Sequence, residues 1–212
     1  MRKKLLTALN LRFLILLLAI TASISTLVSS FYSTYHVQKE QLTAYTLKSN
    51  YAYANKLASA TDNFLESAMQ QLAYSAKKIE QRVDDEDLLN HEATRLHLQT
   101  NSFNSVVINK HSVVVATSPK FPQLIGESIH SPGAVQALQE KRPLISAPYM
   151  SAAGNFIIFI SHPLFDQTGD YLGYIGGSLY LKERNILNSL LEQHYYEGGT
   201  YIYVVDASRR IL

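Results

Sequence analysis

The chain has 212 residues, with 19 Lys and Arg against 17 Asp and Glu, and with 47% hydrophobic against 17% charged residues. That balance excludes an intrinsically disordered chain and a multi-pass membrane protein. Cysteine is absent, which removes disulfides, thiolate metal sites and a cysteine nucleophile.

Met1-Arg2-Lys3-Lys4 and Arg12 precede an uncharged run from Phe13 to Phe31. At a helical rise of about 1.5 Å per residue the run spans about 28 Å, close to the roughly 30 Å hydrocarbon core of a bilayer. The next lysine is Lys39, so the positive-inside rule puts residues 1–12 in the cytoplasm, a transmembrane helix at 13–34 and everything beyond it outside. A cleaved signal peptide is the competing reading, with Val28-Ser29-Ser30 as its cleavage site, but no A-x-A pattern follows the run. The exported part carries 15 basic against 17 acidic side chains, because four basic residues lie in the leader. It offers no basic surface for nucleic acid.

Glycine and proline divide the remainder. None occurs before Pro119, and all nine Gly and six Pro lie from there onward, so the first half is helical and the second turn-rich. A long helix runs on from about Tyr35 to Val83, within an extracytoplasmic helical segment at residues 35–90. Ala58, Leu65, Leu72 and Ile79 repeat every seven residues, with Ala54, Thr61, Ala68 and Ser75 as an offset set. This seam packs on the chain's own sheet, pairs with the same helix of a second subunit to make a homodimer, or does both. Leu57 and Phe64 widen the stripe and favour the sheet contact. Asp84-Asp85-Glu86-Asp87 reads as a solvated helix end or turn, since a calcium loop needs spaced oxygen ligands and a turn glycine.

From Asn104 the period becomes that of strands. Ser105 to Asn109 and Ser112 to Thr117 form a tight hairpin with Asn109 or Lys110 at its turn. Ser131-Pro132 supplies an N-cap and a proline at the first helical position, so a short helix runs to about Glu140. Strands follow at Leu144 to Met150, Asn155 to His162 and Tyr171 to Tyr180, with turns at Ala153-Gly154-Asn155 and Asp166 to Asp170. A helix over Lys182 to His194 and a strand over Tyr201 to Asp206 complete the order. The fold class is α+β, an N-terminal transmembrane helix and a long helix leading into a module with a five-stranded antiparallel sheet at residues 91–181. Phe156-Ile157-Ile158-Phe159-Ile160 is apolar on both faces, so both faces are covered. The long helix takes one, and the short helix and loops roof the other, where a small-molecule pocket forms. Residues 182–212 are a linking helix followed, from Tyr201, by the start of a hairpin with nothing left to pair with, as expected of the front part of a longer protein or the product of a truncated gene.

Three stretches, Pro143 to Tyr149, Ile160 to Asp166 and Gly169 to Leu181, resemble the double Cache family of extracytoplasmic sensors, as does His194 to Asp206. The resemblance covers about Tyr35 to Leu212. It implies a PAS-like fold whose membrane-distal module binds a ligand and whose second module is here truncated. The wording from His162 to Asp206 is most similar to the sensor halves of GGDEF-type diguanylate cyclases, which implies a part in c-di-GMP signalling. Alternatives are the sensor of a chemoreceptor or histidine kinase, or a truncated membrane-tethered partner that modulates an intact sensor. Amino-acid-binding members have an Arg and an aromatic at the start of the short helix, a Tyr in the next strand and an Asp late in the last strand. Tyr149 matches the Tyr. No Arg or Trp stands near His130-Ser131-Pro132, and Ser178 replaces the Asp, so a ligand's carboxylate and amino group both lose their partners.

Alternation along the last strand puts Leu172, Tyr174, Gly176, Ser178 and Tyr180 on one face and Gly173, Ile175, Gly177 and Leu179 on the other. Candidate ligand-binding residues are Tyr149, Tyr174, Ser178, Tyr180, Ser161 and His130. Alternatively the tyrosines fill the core with their hydroxyls at its rim, and the glycines mark a bulge. Ser161-His162 is not a catalytic pair, because neighbours on a strand point to opposite faces and no G-x-S-x-G context surrounds them. His91 and His97 are six residues apart, a poor spacing for zinc. No catalytic residue, metal or cofactor is assigned. The partners expected are a small-molecule ligand, the inner membrane of a bacterial cell and a second copy paired through the long helix.

Overall fold

The computed structural model of the chain describes residues 11–100, 103–151, 154–181 and 205. The expected helix at Lys182 to His194 and the hairpin beyond it lie outside the described residues, Val205 apart. The chain divides into two units, Met1–Lys56 and Leu57–Leu212.

The described residues of the first unit belong to α1 (Leu11–Ile79). From Phe13 onward α1 is long and apolar enough to cross a membrane, and Phe13, Leu17, Ile20, Ile24 and Leu27 are all exposed. Several of its hydroxyls bond within the helix: Thr21 Oγ1 donates to the Leu18 carbonyl at 3.0 Å and Ser23 Oγ to that of Ala19 at 2.9 Å. Such back-bonding lets polar residues sit in a hydrocarbon environment.

The second unit is the α+β module. Helix α1 ends at Ile79, short of the expected Val83, and after a turn comes a second helix, α2 (Glu86–Thr100), absent from the sequence expectation. The acidic run makes that turn. Asp85 Oδ1 accepts the Leu88 amide at 3.0 Å, which occupies one of the free N–H groups at the start of α2. Leu89, Ala93 and Leu96 then line one face of α2 and are buried.

The sheet has six strands in the order β2-β1-β6-β5-β3, with β4 also on β5. They are β1 (Phe103–Asn109), β2 (Val114–Ser118), β3 (Leu144–Ile145), β4 (Tyr149–Met150), β5 (Phe156–Phe165) and β6 (Tyr171–Tyr180). The sixth arises because the expected strand Leu144 to Met150 is split at Ser146-Ala147-Pro148 into β3 and β4, both antiparallel to β5. Pro148 lacks the N–H a continuous ladder requires. In the β1–β2 turn Asn109 Oδ1 accepts the amides of His111 at 2.9 Å and Val113 at 3.1 Å. Asp166 Oδ1 likewise accepts the amides of Thr168 and Asp170, each at 2.8 Å, in the β5–β6 turn.

Each face of the sheet has its own core. On one, α1 and α2 bury Leu72, Ile79, Leu89 and Leu96 against Phe103, Val107, Ile160 and Ile175. On the other, α3 (Pro132–Glu140) buries Ala134 and Ala137 against Ile108, Leu144, Phe159 and Tyr174. Burial contributes about 1.5–3 kcal/mol for each large apolar side chain. Leu72 and Ile79 are fully buried and Leu65, partly buried, packs against the same core, so this stretch of the heptad seam packs on the chain's own sheet. Ala58, the first residue of the seam, stays exposed.

A buried polar clasp joins α1 to α2. Glu92 has no solvent exposure; its Oε2 accepts from Ser75 Oγ and Arg95 Nε at 2.8 Å each, and its Oε1 from Lys78 Nζ at 3.2 Å. Arg95 also donates to Gln71 Oε1 at 2.9 Å and to Gln99, and the Tyr74 ring lies under both Lys78 and Arg95. Just past α1, Glu80 Oε1 accepts the Phe165 amide at 3.1 Å, which holds the end of β5.

Candidate ligand-binding site

The site is the face of the sheet under α3. Cross-strand register puts Ser161 opposite Gly176, Pro163 opposite Tyr174 and Phe159 opposite Ser178, and β1 adds Ile108 opposite Tyr174 and Asn104 opposite Ser178. Paired residues share a face. The first turn of α3 lies close above them, since a Cβ on Gly133 would stand 2.8 Å from Phe159 Cβ and 2.9 Å from the Tyr149 hydroxyl. Below, the Phe159 ring covers Gly176, where an added Cβ would come within 2.8 Å of Cζ. Phe159 therefore bridges α3 and β6 between two glycines, with its ring edge-on to Tyr174 at 5.9 Å and 80°.

Polar groups enter this apolar layer as hydroxyls. Tyr149 donates to Ser131 Oγ at 3.3 Å. Ser131 occupies the N-cap position of α3, but its side chain makes no capping hydrogen bond. The hydroxyls of Ser161, Tyr171 and Tyr174 are buried without a hydrogen-bond partner. An unpaired buried hydroxyl costs roughly 1–3 kcal/mol, so these three are the groups on this side of the sheet that a bound acceptor would satisfy. Burial pushes the Tyr171 phenol up to about 12. Burial raises Tyr174 further, helped by the adjacent phenols of Tyr171 and Tyr149. Burial also raises Tyr149, against the opposing hydrogen bonds of Ser131 and the Gly133 amide. All three are neutral hydroxyls at physiological pH, able to donate and accept but not to act as bases.

Of the sequence candidates, the structure brings Tyr149, Ser161 and Tyr174 onto this face. Ser178 shares it but is half-buried, and Tyr180, at the end of β6, accepts from Asn104 Nδ2 at 2.8 Å. His130 does not join them: it is exposed in the segment before α3. Leu172 also departs from the reading, packing into the α1–α2 core beside Ile175 rather than next to Tyr174. The cause is a bulge. Leu164 pairs with Gly173 but Phe165 pairs with Tyr171, and Gly173 has φ +140°, so the alternation slips there. The same slip hid Tyr171, which shares the α3 side, as the Lys141 ammonium 5.1 Å over its ring shows. Phe159 was read as core, and only its contact with two glycines places it in the site. Ser161 and His162 lie on opposite faces, and His162 Nδ1 donates to the Pro163 carbonyl at 3.0 Å. Among the described residues no cluster of His, Cys, Asp or Glu could hold a metal.

An antiparallel sheet with helices on both faces, entered from a long N-terminal helix and carrying buried hydroxyls under a short helix, defines an α+β sensor-type module. The chain belongs to the family of HK/GC/Chemotaxis protein-like sensor domains, whose profile matches residues 62–179. An extracellular ligand binding receptor from Desulfohalobium retbaense superposes with a TM-score of 0.58 at 18% identity over 66% of this chain, which spans only 26% of that receptor. The ligand-binding domain of the Pseudomonas aeruginosa amino acid chemoreceptor PctC, solved with GABA, gives 0.58 at 20% identity, covering 74% of this chain and 69% of that one. The E. coli DcuS sensor domain gives 0.50 at 14% identity over 62% of this chain and 96% of its own. At these identities the likeness establishes the fold. No protein of curated function matches the sequence.

Proposed function

We propose that this chain is the small-ligand sensing input of a membrane-anchored signal-transduction protein, with residues 1–12 in the cytoplasm, 13–34 in the inner membrane and the sheet module in the periplasm or outside the cell. The observation that carries the reading is the set of three unpartnered hydroxyls, Ser161, Tyr171 and Tyr174, buried beneath α3. A ligand bound there would satisfy them, and closure of α3 over it would favour one of two states of the module. Only a difference in affinity between those states can drive a signal. The path outward runs through the β6 bulge and the Glu80 contact to α1, the helix that continues toward the membrane.

For the output we retain a diguanylate cyclase, on the wording of His162 to Asp206. A chemoreceptor or histidine kinase is the second reading, favoured by the family's own description and by the fold shared with PctC. The test is calorimetric titration of the full chain in detergent against a broad panel of small metabolites, repeated with Tyr149→Phe and Ser161→Ala. At least one compound should bind and lose roughly tenfold in affinity in each variant, the equivalent of about 1.4 kcal/mol. Binding that ignores both variants, or no binding across the panel, would count against the reading.

A further inference from the structure

We propose that the ligand of this site is uncharged: a small molecule with one or more acceptor oxygens between apolar faces, and neither an amino acid nor any other ammonium-bearing compound. The inference rests on the sensing reading above and specifies what is sensed.

Two features of the α3 face carry it. The first is what the site supplies. Ser161, Tyr171 and Tyr174 end in buried hydroxyls without partners, and burial keeps both phenols protonated far above neutral pH, so each presents an O–H to an acceptor. The walls between them are apolar, formed by Phe159, Ala134, Ala137 and Leu144.

The second feature is what the site withholds. Among the described residues the only buried charged side chain is Glu92, and it belongs to the clasp between α1 and α2, where Arg95, Lys78 and Ser75 already occupy it. Three charged residues follow one another at the end of α3. Glu140 is paired with Arg142 at 2.5 Å, and Lys141 is exposed and rests on the Tyr171 ring. Glu140 Oε2 is buried and makes no hydrogen bond, but the Arg142 guanidinium at 2.5 Å already neutralises it. An ammonium entering the layer would have to displace that pair, and a carboxylate would meet no buried guanidinium among the described residues. Burying an unpaired ion costs far more than burying a hydroxyl, so the site selects against charge of either sign. Hydroxyl donors without a countercharge select a carbonyl, ether or alcohol oxygen instead.

The test uses the full chain in detergent and reads its melting temperature with matched probes at high millimolar concentration. One pair is γ-aminobutyrate and its uncharged lactam, pyrrolidinone. The other set is benzamide against benzoate and benzylamine. Pyrrolidinone or benzamide should raise the melting temperature and their charged counterparts should not, and the rise should vanish in Tyr174→Phe and shrink in Ser161→Ala. Both variants fold, because each removes only an unpartnered hydroxyl. A charged probe whose stabilisation depends on Tyr174 overturns the ligand class and leaves the sensing site standing. Stabilisation by any probe that persists in both variants overturns the site itself. No shift from either uncharged probe overturns the inference, while the metabolite titration still decides the sensing reading.

Discussion

Gly173 sits where β6 changes the side to which its residues point, and no other residue type fits there. Its φ of +140° lies in the region that side chains rarely adopt, and an added Cβ would run into the Ile108 carbonyl on the neighbouring strand. Gly169, in the β5–β6 turn, also has a positive φ but has open space around it. Gly173→Ala should therefore cost on the order of 3 kcal/mol in urea unfolding, against about 1 kcal/mol for Gly169→Ala. Equal losses would sink the account of the bulge. Tyr171 and Tyr174 flank this glycine, so the residue that bends the strand also sets both phenols on the α3 side.

At the scale of elements, α1 and α2 are held together by one buried carboxylate. Burial alone would raise the Glu92 pKa, but hydrogen bonds from Arg95, Ser75 and Lys78 and the Arg95 charge outweigh it and hold the group below its ordinary 4.5. The His91 imidazole also faces it, at 3.6 Å. A lowered folded-state pKa means that the unfolded chain binds more protons, so the stabilisation is complete above the unfolded value and is lost as pH falls through the folded one. The melting temperature should accordingly drop on acidification below about 4.5, and Glu92→Gln should flatten that drop. Arg95→Ala, which strands the carboxylate, should cost about 3–5 kcal/mol at neutral pH. A Glu92→Gln melting curve with the same acid limb as the native chain would contradict this. The hairpin of β1 and β2, the short helix and the long strands β5 and β6 were legible because alternation, Asn109, Pro132 and Asp166 each point to one local structure. Helix α2 was missed although Leu89, Ala93 and Leu96 have helical spacing, because the acidic run read as an end and not as the cap of a new beginning. In the site, Tyr149 and Tyr174 were legible, whereas Tyr171 was not, since counting by twos fails across a bulge.

For the whole molecule, a helix long and apolar enough to cross a membrane, followed by a sensor module, makes orientation the decisive property. The absence of cysteine gives a clean test, because any thiol introduced is the only one present. Lys120→Cys, at an exposed position of the module, should react with a membrane-impermeant maleimide in intact expressing bacteria treated to open the outer envelope. Thr7→Cys should react only after lysis. The reverse pattern would invert the topology and remove the sensing reading with it. The Glu80 carboxylate then has a mechanical meaning. It accepts the Phe165 amide at the strand end where the β5–β6 register slips, and it stands one residue beyond the last turn of α1. Under the proposed sensing role, a bulge that tightened or relaxed would either give up that hydrogen bond or draw the helix end along, a single carboxylate then acting as the clutch between sheet and shaft.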